Sequence, residues 1–185
     1  MYVPKLDDER DTLCNFIDDQ LSSLRASAYG LDDCKARETP LRSELSISGI
    51  IKHVTFVMNQ SLIAAKDTKT DQSDEAFFDS FVPGRSETLS DLLREFDRVR
   101  SVYLSACRGG DLESEISVGP MPWYGVHETQ KARLRYRYVH DVEELARHAG
   151  HADIIREQLD GAKAPELIAA AEGRPANEYV TPWRS

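Results

Sequence analysis

Residues 137–157 read Arg-Tyr-Val-His-Asp-Val-Glu-Glu-Leu-Ala-Arg-His-Ala-Gly-His-Ala-Asp-Ile-Ile-Arg-Glu, and this stretch decides the fold. His140, Glu144, His148 and His151 stand four, four and three residues apart. That is the α-helical repeat, so all four project from one face of a single helix. A solvated helix face favours Lys and Glu, whereas this one holds three of the chain's five histidines beside a carboxylate. Such a face can bind a divalent metal, and proteins that bind metals this way take the remaining ligands from facing helices of a bundle.

The spacing predicts that this helix runs from about Gln130 to Asp160, with Gly161 as its C-terminal stop. Gly150 lies inside it, where a glycine costs about 1 kcal/mol relative to alanine. It marks either a close approach by another backbone or bound group, or simple tolerance. Upstream, Leu89, Leu92, Leu93, Phe96, Val99 and Tyr103 form the stripe of another helix, opened by Ser86 or Glu87 and closed by Gly109-Gly110. Asp111 to Glu128 reads as a loop carrying Trp123, Tyr124 and His127. An earlier helix has Ser46 as its cap and the stripe Ile47, Ile50, Ile51, Val54, Val57 and Met58. His53 sits three residues after Ile50 and four before Val57, so its imidazole faces the core.

Leu13, Phe16, Ile17, Leu21 and Leu24 define the first helix within Leu6 to Ala28, and Gly30 stops it before a loop from Leu31 to Ser43. Asp67 to Pro83 is polar and acidic, with Phe77, Phe78 and Phe81 as anchors, and reads as a long crossover between helices. The tail offers a short helix near Pro165 to Ala171 and an extended Tyr179 to Trp183, with Trp183 expected to pack on the bundle. No segment alternates with period two for long enough to build a sheet. The expected fold is all-α: an antiparallel four-helix bundle with a long crossover. Residues 1–185 form one domain, with 162–185 as a C-terminal extension.

Composition narrows the function. The chain has 185 residues, a formal charge of -9 and 41% hydrophobic residues, in keeping with one globular core. No apolar run reaches the roughly 20 residues that span a bilayer. The first ten residues do not read as a secretory signal, so the expected location is the cytoplasm. Cys14, Cys34 and Cys107 form no Cys-x-x-Cys pair, which argues against thiolate zinc and a disulfide framework. The net negative charge argues against nucleic acid. Arg133, Arg135 and Arg137 alternate across the helix start and read as a solvated surface rather than a phosphate site. Phosphate-loop, dinucleotide and His-Glu-x-x-His motifs are absent from the sequence.

Glu144 and His148 stand one turn apart on their helix, so a single ion can meet both. His53 is the histidine elsewhere that faces the core, and it completes a set of two imidazoles and one carboxylate. Three protein ligands leave a position open for water or substrate, the pattern of catalytic rather than structural zinc. Taken alone, His53 also reads as a core histidine bonded to a carbonyl. Glu144 also reads as a solvated carboxylate, and His148 and His151 as surface or capping residues. His140 and His151 flank the set and could replace Glu144 as a ligand; both are candidates for proton transfer, His151 the better one, since imidazole titrates near neutral pH. Arg147 reads as a partner in ion pairs along the helix or as a cation that orients a substrate carboxylate. Trp123 and Tyr124 would cover the mouth of the site or pack within their loop.

Two stretches resemble the DinB/YfiT-like superfamily, in particular the subgroup of mini-circle proteins: Leu-Ser-Ile-Ser-Gly-Ile-Ile-Lys-His53-Val, and Glu-Glu144-Leu-Ala-Arg-His148-Ala-Gly-His151 continuing to Gly161. The resemblance implies a four-helix bundle that binds zinc, nickel or iron through His53, Glu144 and His148. The Glu-x-x-x-His form is similar to that of mycothiol-dependent maleylpyruvate isomerases. Many relatives carry His in place of the Glu and Arg-Gly-Gln after the second histidine, where this chain has Ala149-Gly150-His151. The implied activity is that of a metal-dependent thiol S-transferase or thiol-dependent isomerase, with mycothiol or a similar small thiol as co-substrate, held as a metal-bound thiolate that attacks an electrophile. Zinc is the expected ion, with nickel, iron or manganese as alternatives. Two other readings stay open: a hydrolase using metal-bound water, and a binding or stress-response bundle without catalysis. A homodimer through an exposed helix face is compatible with each.

Overall fold

Asp8 opens the first helix by accepting the amide hydrogen of Asp11 at 2.8 Å, and α1 then runs Glu9–Ser27. The computed structural model describes residues 2–64, 74–121 and 124–184. Its remaining elements are α2 (Asp33–Arg37), α3 (Ile47–Ala64), α4 (Asp74–Asp79), α5 (Leu89–Gly109), β1 (Glu115–Val118), β2 (Gln130–Arg133), α6 (Leu134–Asp160) and α7 (Ala164–Ala171). Ser46 caps α3 as its sequence suggests, its Oγ accepting from the amide of Gly49 at 3.1 Å. Thr88 and Asp91 form a reciprocal capping box at the start of α5. Gly161 ends α6 with φ at 80°, the left-handed conformation that favours glycine.

The four long helices α1, α3, α5 and α6 pack against one another, consistent with the bundle expected from sequence. Their facing stripes supply the core: Ile17, Leu21 and Leu24 from α1, Ile50, Ile51, Val54 and Met58 from α3, Phe96 and Val99 from α5, and Leu145, Ala152 and Ile155 from α6. Each fully buried Leu or Ile contributes roughly 1.5–3 kcal/mol by leaving water. Phe16 departs from its expected place. It is 42% exposed and meets the ring of Tyr2 edge-on at 5.0 Å. Trp183 does pack as expected, in a satellite cluster with Ala26, Ala162, Leu167 and Ile168.

The structure corrects the sequence reading at four places. A two-stranded antiparallel hairpin exists, pairing Glu115 with Arg133 and Val118 with Gln130. Consequently α6 begins at Leu134, not at Gln130. Four-residue strands are too short to show period-two alternation above noise, and the polar Gln130 to Arg133 gives no helical stripe to contradict. Short helices α2 and α4 lie where the sequence reads as loop and crossover. At Gly150 no backbone of the described residues approaches closely, because a Cβ there would meet nothing within 4 Å.

The end of the crossover is fixed in place. Arg37 donates to the carbonyls of Pro83, Gly84 and Glu87 at 3.2, 2.7 and 2.5 Å, and Lys52 donates to Val82 and Glu87 at 2.9 Å each. Gly49 completes the fit, since a Cβ on it would overlap the carbonyl oxygen of Phe81. The crossover backbone therefore lies directly on α3, one turn before His53.

Candidate functional site

That placement puts Phe77, Ser80 and Phe81 around His53. Phe81 stacks on the imidazole with ring centroids 3.6 Å apart and planes 13° apart, and Phe77 meets it edge-on at 5.2 Å. Ser80 Oγ lies 2.7 Å from His53 Nδ1. From α6 comes His148, whose ring centroid is 4.9 Å from that of His53 and 6.2 Å from that of Phe81.

His53 and His148 border a cavity of about 440 Å³, a size ordinary for small-molecule sites. Glu144, His140 and Tyr124 also line it. His53, Glu144 and His148 thus line one cavity, with the two imidazoles in ring contact. The ligand atoms of His140, Glu143 and Glu144 come within 4.8 Å of one another, whereas among the described residues His53, Glu144 and His148 border the same cavity without forming so close a group. His151 is exposed and does not line the cavity. It shares the face of His148 but lies almost a turn beyond it, past the cavity's end. Arg147 is likewise outside, paired with Glu143 at 3.0 Å on the helix surface. Trp123 lies outside the described residues.

Burial sets the electrostatics. His53 is 3% exposed, and removal from water, followed by the neighbouring His148, lowers its pKa from 6.5 to about 3. His148 is also lowered, by burial first, with Glu144 opposing and His151 and Arg147 adding to the effect. Both imidazoles are neutral at physiological pH, so each has a nitrogen lone pair to give. Nδ1 of His148 is buried and has no hydrogen-bond partner among the described residues. An unpaired buried polar atom is costly, and a cation is a partner that such a lone pair accepts. Two neutral imidazoles and a carboxylate lining one cavity are donors of the kinds that a divalent ion takes.

A second polar group in the wall was not anticipated from sequence. Asp141 is 5% exposed and accepts from the hydroxyl of Tyr103, while Arg137 Nε lies 3.0 Å from its Oδ1. Arg137 also bonds Ser61 on α3. Burial raises the pKa of Asp141, opposed chiefly by the charge of Arg137. Tyr103 is pushed well above its usual value, by burial first and by the Asp141 charge second. Tyr103, Arg137 and Asp141 all line the cavity, so Arg137 is not the solvated residue that its alternation with Arg133 and Arg135 suggests. The available signal was the Arg137–Asp141 spacing of four, which pairs opposite charges on one helix face.

The described helices include none long and apolar enough to cross a membrane. A family model described as mycothiol-S-transferase matches residues 12–161, a span that contains all the cavity-lining residues named above. No curated protein matches the chain.

Proposed function

The chain belongs to the mycothiol-S-transferase family, and on that premise we propose that this transferase joins a low-molecular-weight thiol, mycothiol or a close analogue, through its sulfur to an electrophilic substrate in the cavity between α3 and α6, the S–H proton and any leaving group departing as the sulfur–carbon bond forms. The scaffold is an antiparallel four-helix bundle forming one domain, and His53, Glu144 and His148 hold a divalent metal, zinc first. When bound, such an ion stabilises deprotonated sulfur and so provides a nucleophile at neutral pH. The supporting observation is the meeting of two neutral imidazoles from different helices, one with an orphaned buried nitrogen, beside Glu144.

The chain's own residues supply the rest. Phe77, Phe81 and Met58 line the cavity with apolar surface, which excludes water from the sulfur and strengthens local electrostatics. Arg137 offers its guanidinium to a polar group of either substrate while Asp141 fixes its orientation. His140, half-buried on the cavity wall, takes up on a ring nitrogen the proton that the thiol releases when it binds, and returns it to the leaving group, or to the atom that receives the electron pair, once the sulfur–carbon bond has formed. His151 lies outside the cavity, which leaves His140 with this role.

The test is zinc-loaded protein with mycothiol and an alkylating electrophile, followed by detection of the S-conjugate. Conjugate formation that requires metal and falls at least about 100-fold in Glu144→Gln, because a carboxylate ligand of the ion is lost, supports the reading. Turnover of substrate without any thiol contradicts it and indicates hydrolysis.

A further inference from the structure

Ser80 follows α4, is 4% exposed, and makes two contacts through one oxygen. Its Oγ lies 2.5 Å from the carbonyl oxygen of Phe77 and 2.7 Å from Nδ1 of His53. A serine hydroxyl has a single proton, and a carbonyl oxygen can only accept. The Phe77 contact therefore takes the Ser80 proton. The second contact then requires a hydrogen on Nδ1 of His53, because two lone pairs at that distance would repel. A neutral imidazole has one N–H, so its lone pair is left on Nε2.

The ring has little freedom to escape this arrangement. Phe81 covers one face at 3.6 Å, Phe77 abuts it at 5.2 Å and His148 lies 4.9 Å away. The backbone on both sides of Ser80 is held as well, since the amide of Ser80 bonds the carbonyl of Ala76 at 3.2 Å and that of Phe81 bonds the carbonyl of Phe78 at 3.1 Å. A rotation that exchanged the ring nitrogens would leave Ser80 facing a carbon.

Resting on the metal reading above, we propose that Ser80 is a positioning residue of the site, fixing His53 in the tautomer that carries hydrogen on Nδ1 and presents Nε2 as the metal-binding atom. Imidazole ligands usually donate their other N–H to such a partner, and loss of the partner typically weakens metal binding by about 10–100-fold. The sequence alone does not reveal this pairing, because Ser80 is 27 residues from His53 and reaches it through the crossover.

Two readouts test the assignment. The first is a long-range proton–nitrogen spectrum of the histidine side chains in metal-free protein, with His53 assigned by comparison with His53→Gln. The expected pattern is the tautomer protonated on Nδ1; protonation on Nε2 in the unmodified chain overturns the proposal without any need for a variant at Ser80. The second is zinc affinity by chelator competition, with helical content checked by circular dichroism. Ser80→Ala should bind about 10–100-fold more weakly, and Ser80→Thr, which keeps the hydroxyl, should recover most of the loss. Unchanged affinity in a folded Ser80→Ala overturns the proposed role. If the unmodified protein binds no zinc, the metal reading fails and the Ser80 role in it fails too, while the tautomer spectrum still decides whether Ser80 orients the ring.

Discussion

His53 on α3 and His148 on α6 face each other with ring centroids 4.9 Å apart and planes inclined at 61°. They come from segments 95 residues apart in sequence, and the bundle brings them together at the cavity. Both are held neutral by burial. The cost of keeping two imidazoles dry side by side is what a metal ion would offset, and the predictions below examine the parts that keep them so.

Gly49 permits the crossover to rest on α3, with the Phe81 carbonyl where a Cβ would otherwise sit. Gly49→Ala should raise helix propensity by about 1 kcal/mol yet lower stability overall, by roughly 1–3 kcal/mol, because the backbone of Phe81 must move. Urea unfolding checks the sign. A stabilised variant would show that the crossover yields freely.

The fold should lose stability in acid through His53. Its pKa falls from 6.5 to about 3 on folding, from burial first and His148 second. Between those values the unfolded chain binds a proton that the folded chain does not. The stability of metal-free protein is thus complete above about pH 6.5 and falls as pH drops towards 3. Denaturation midpoints measured across this window should decline with acidity, and His53→Gln should flatten the slope.

Tyr103 donates to the buried carboxylate of Asp141, which also faces Arg137. Tyr103→Phe leaves an acceptor with one partner fewer in a dry site, at a cost of about 1–3 kcal/mol. The position of Arg137 should loosen with it, so KM for the thiol or the electrophile should rise more than kcat falls. Equal stability of the variant in chemical denaturation would show that water replaces the hydroxyl.

Much of this was legible in the sequence, for definite reasons. The helices α1, α3, α5 and α6 announce themselves through stripes of period 3.6 and through caps such as Ser46 and Gly161, although α5 is capped by Thr88 rather than opened by Ser86 or Glu87. His53, Glu144 and His148 could be placed on one cavity because helical spacing fixes which way side chains point within a helix. The roles of Ser80, Tyr103 and Asp141 depend on how separate elements meet, and local periodicity carries no record of that. Arg137 was misread for the same reason, and for that reason too the sequence does not show that His151 falls outside the cavity. The face of a helix is written in its sequence, but the point along its axis where a cavity ends is set by its neighbours.

The most direct test is elemental analysis of the protein purified without affinity metals, beside His148→Ala. His148 is half-buried on the cavity wall, so its truncation should leave the bundle folded. The account predicts close to one divalent ion per chain in the unmodified protein and its loss in the variant. A variant that retains the ion, or an unmodified chain that takes up none after reconstitution, would contradict the assignment of His53, Glu144 and His148 as a metal site.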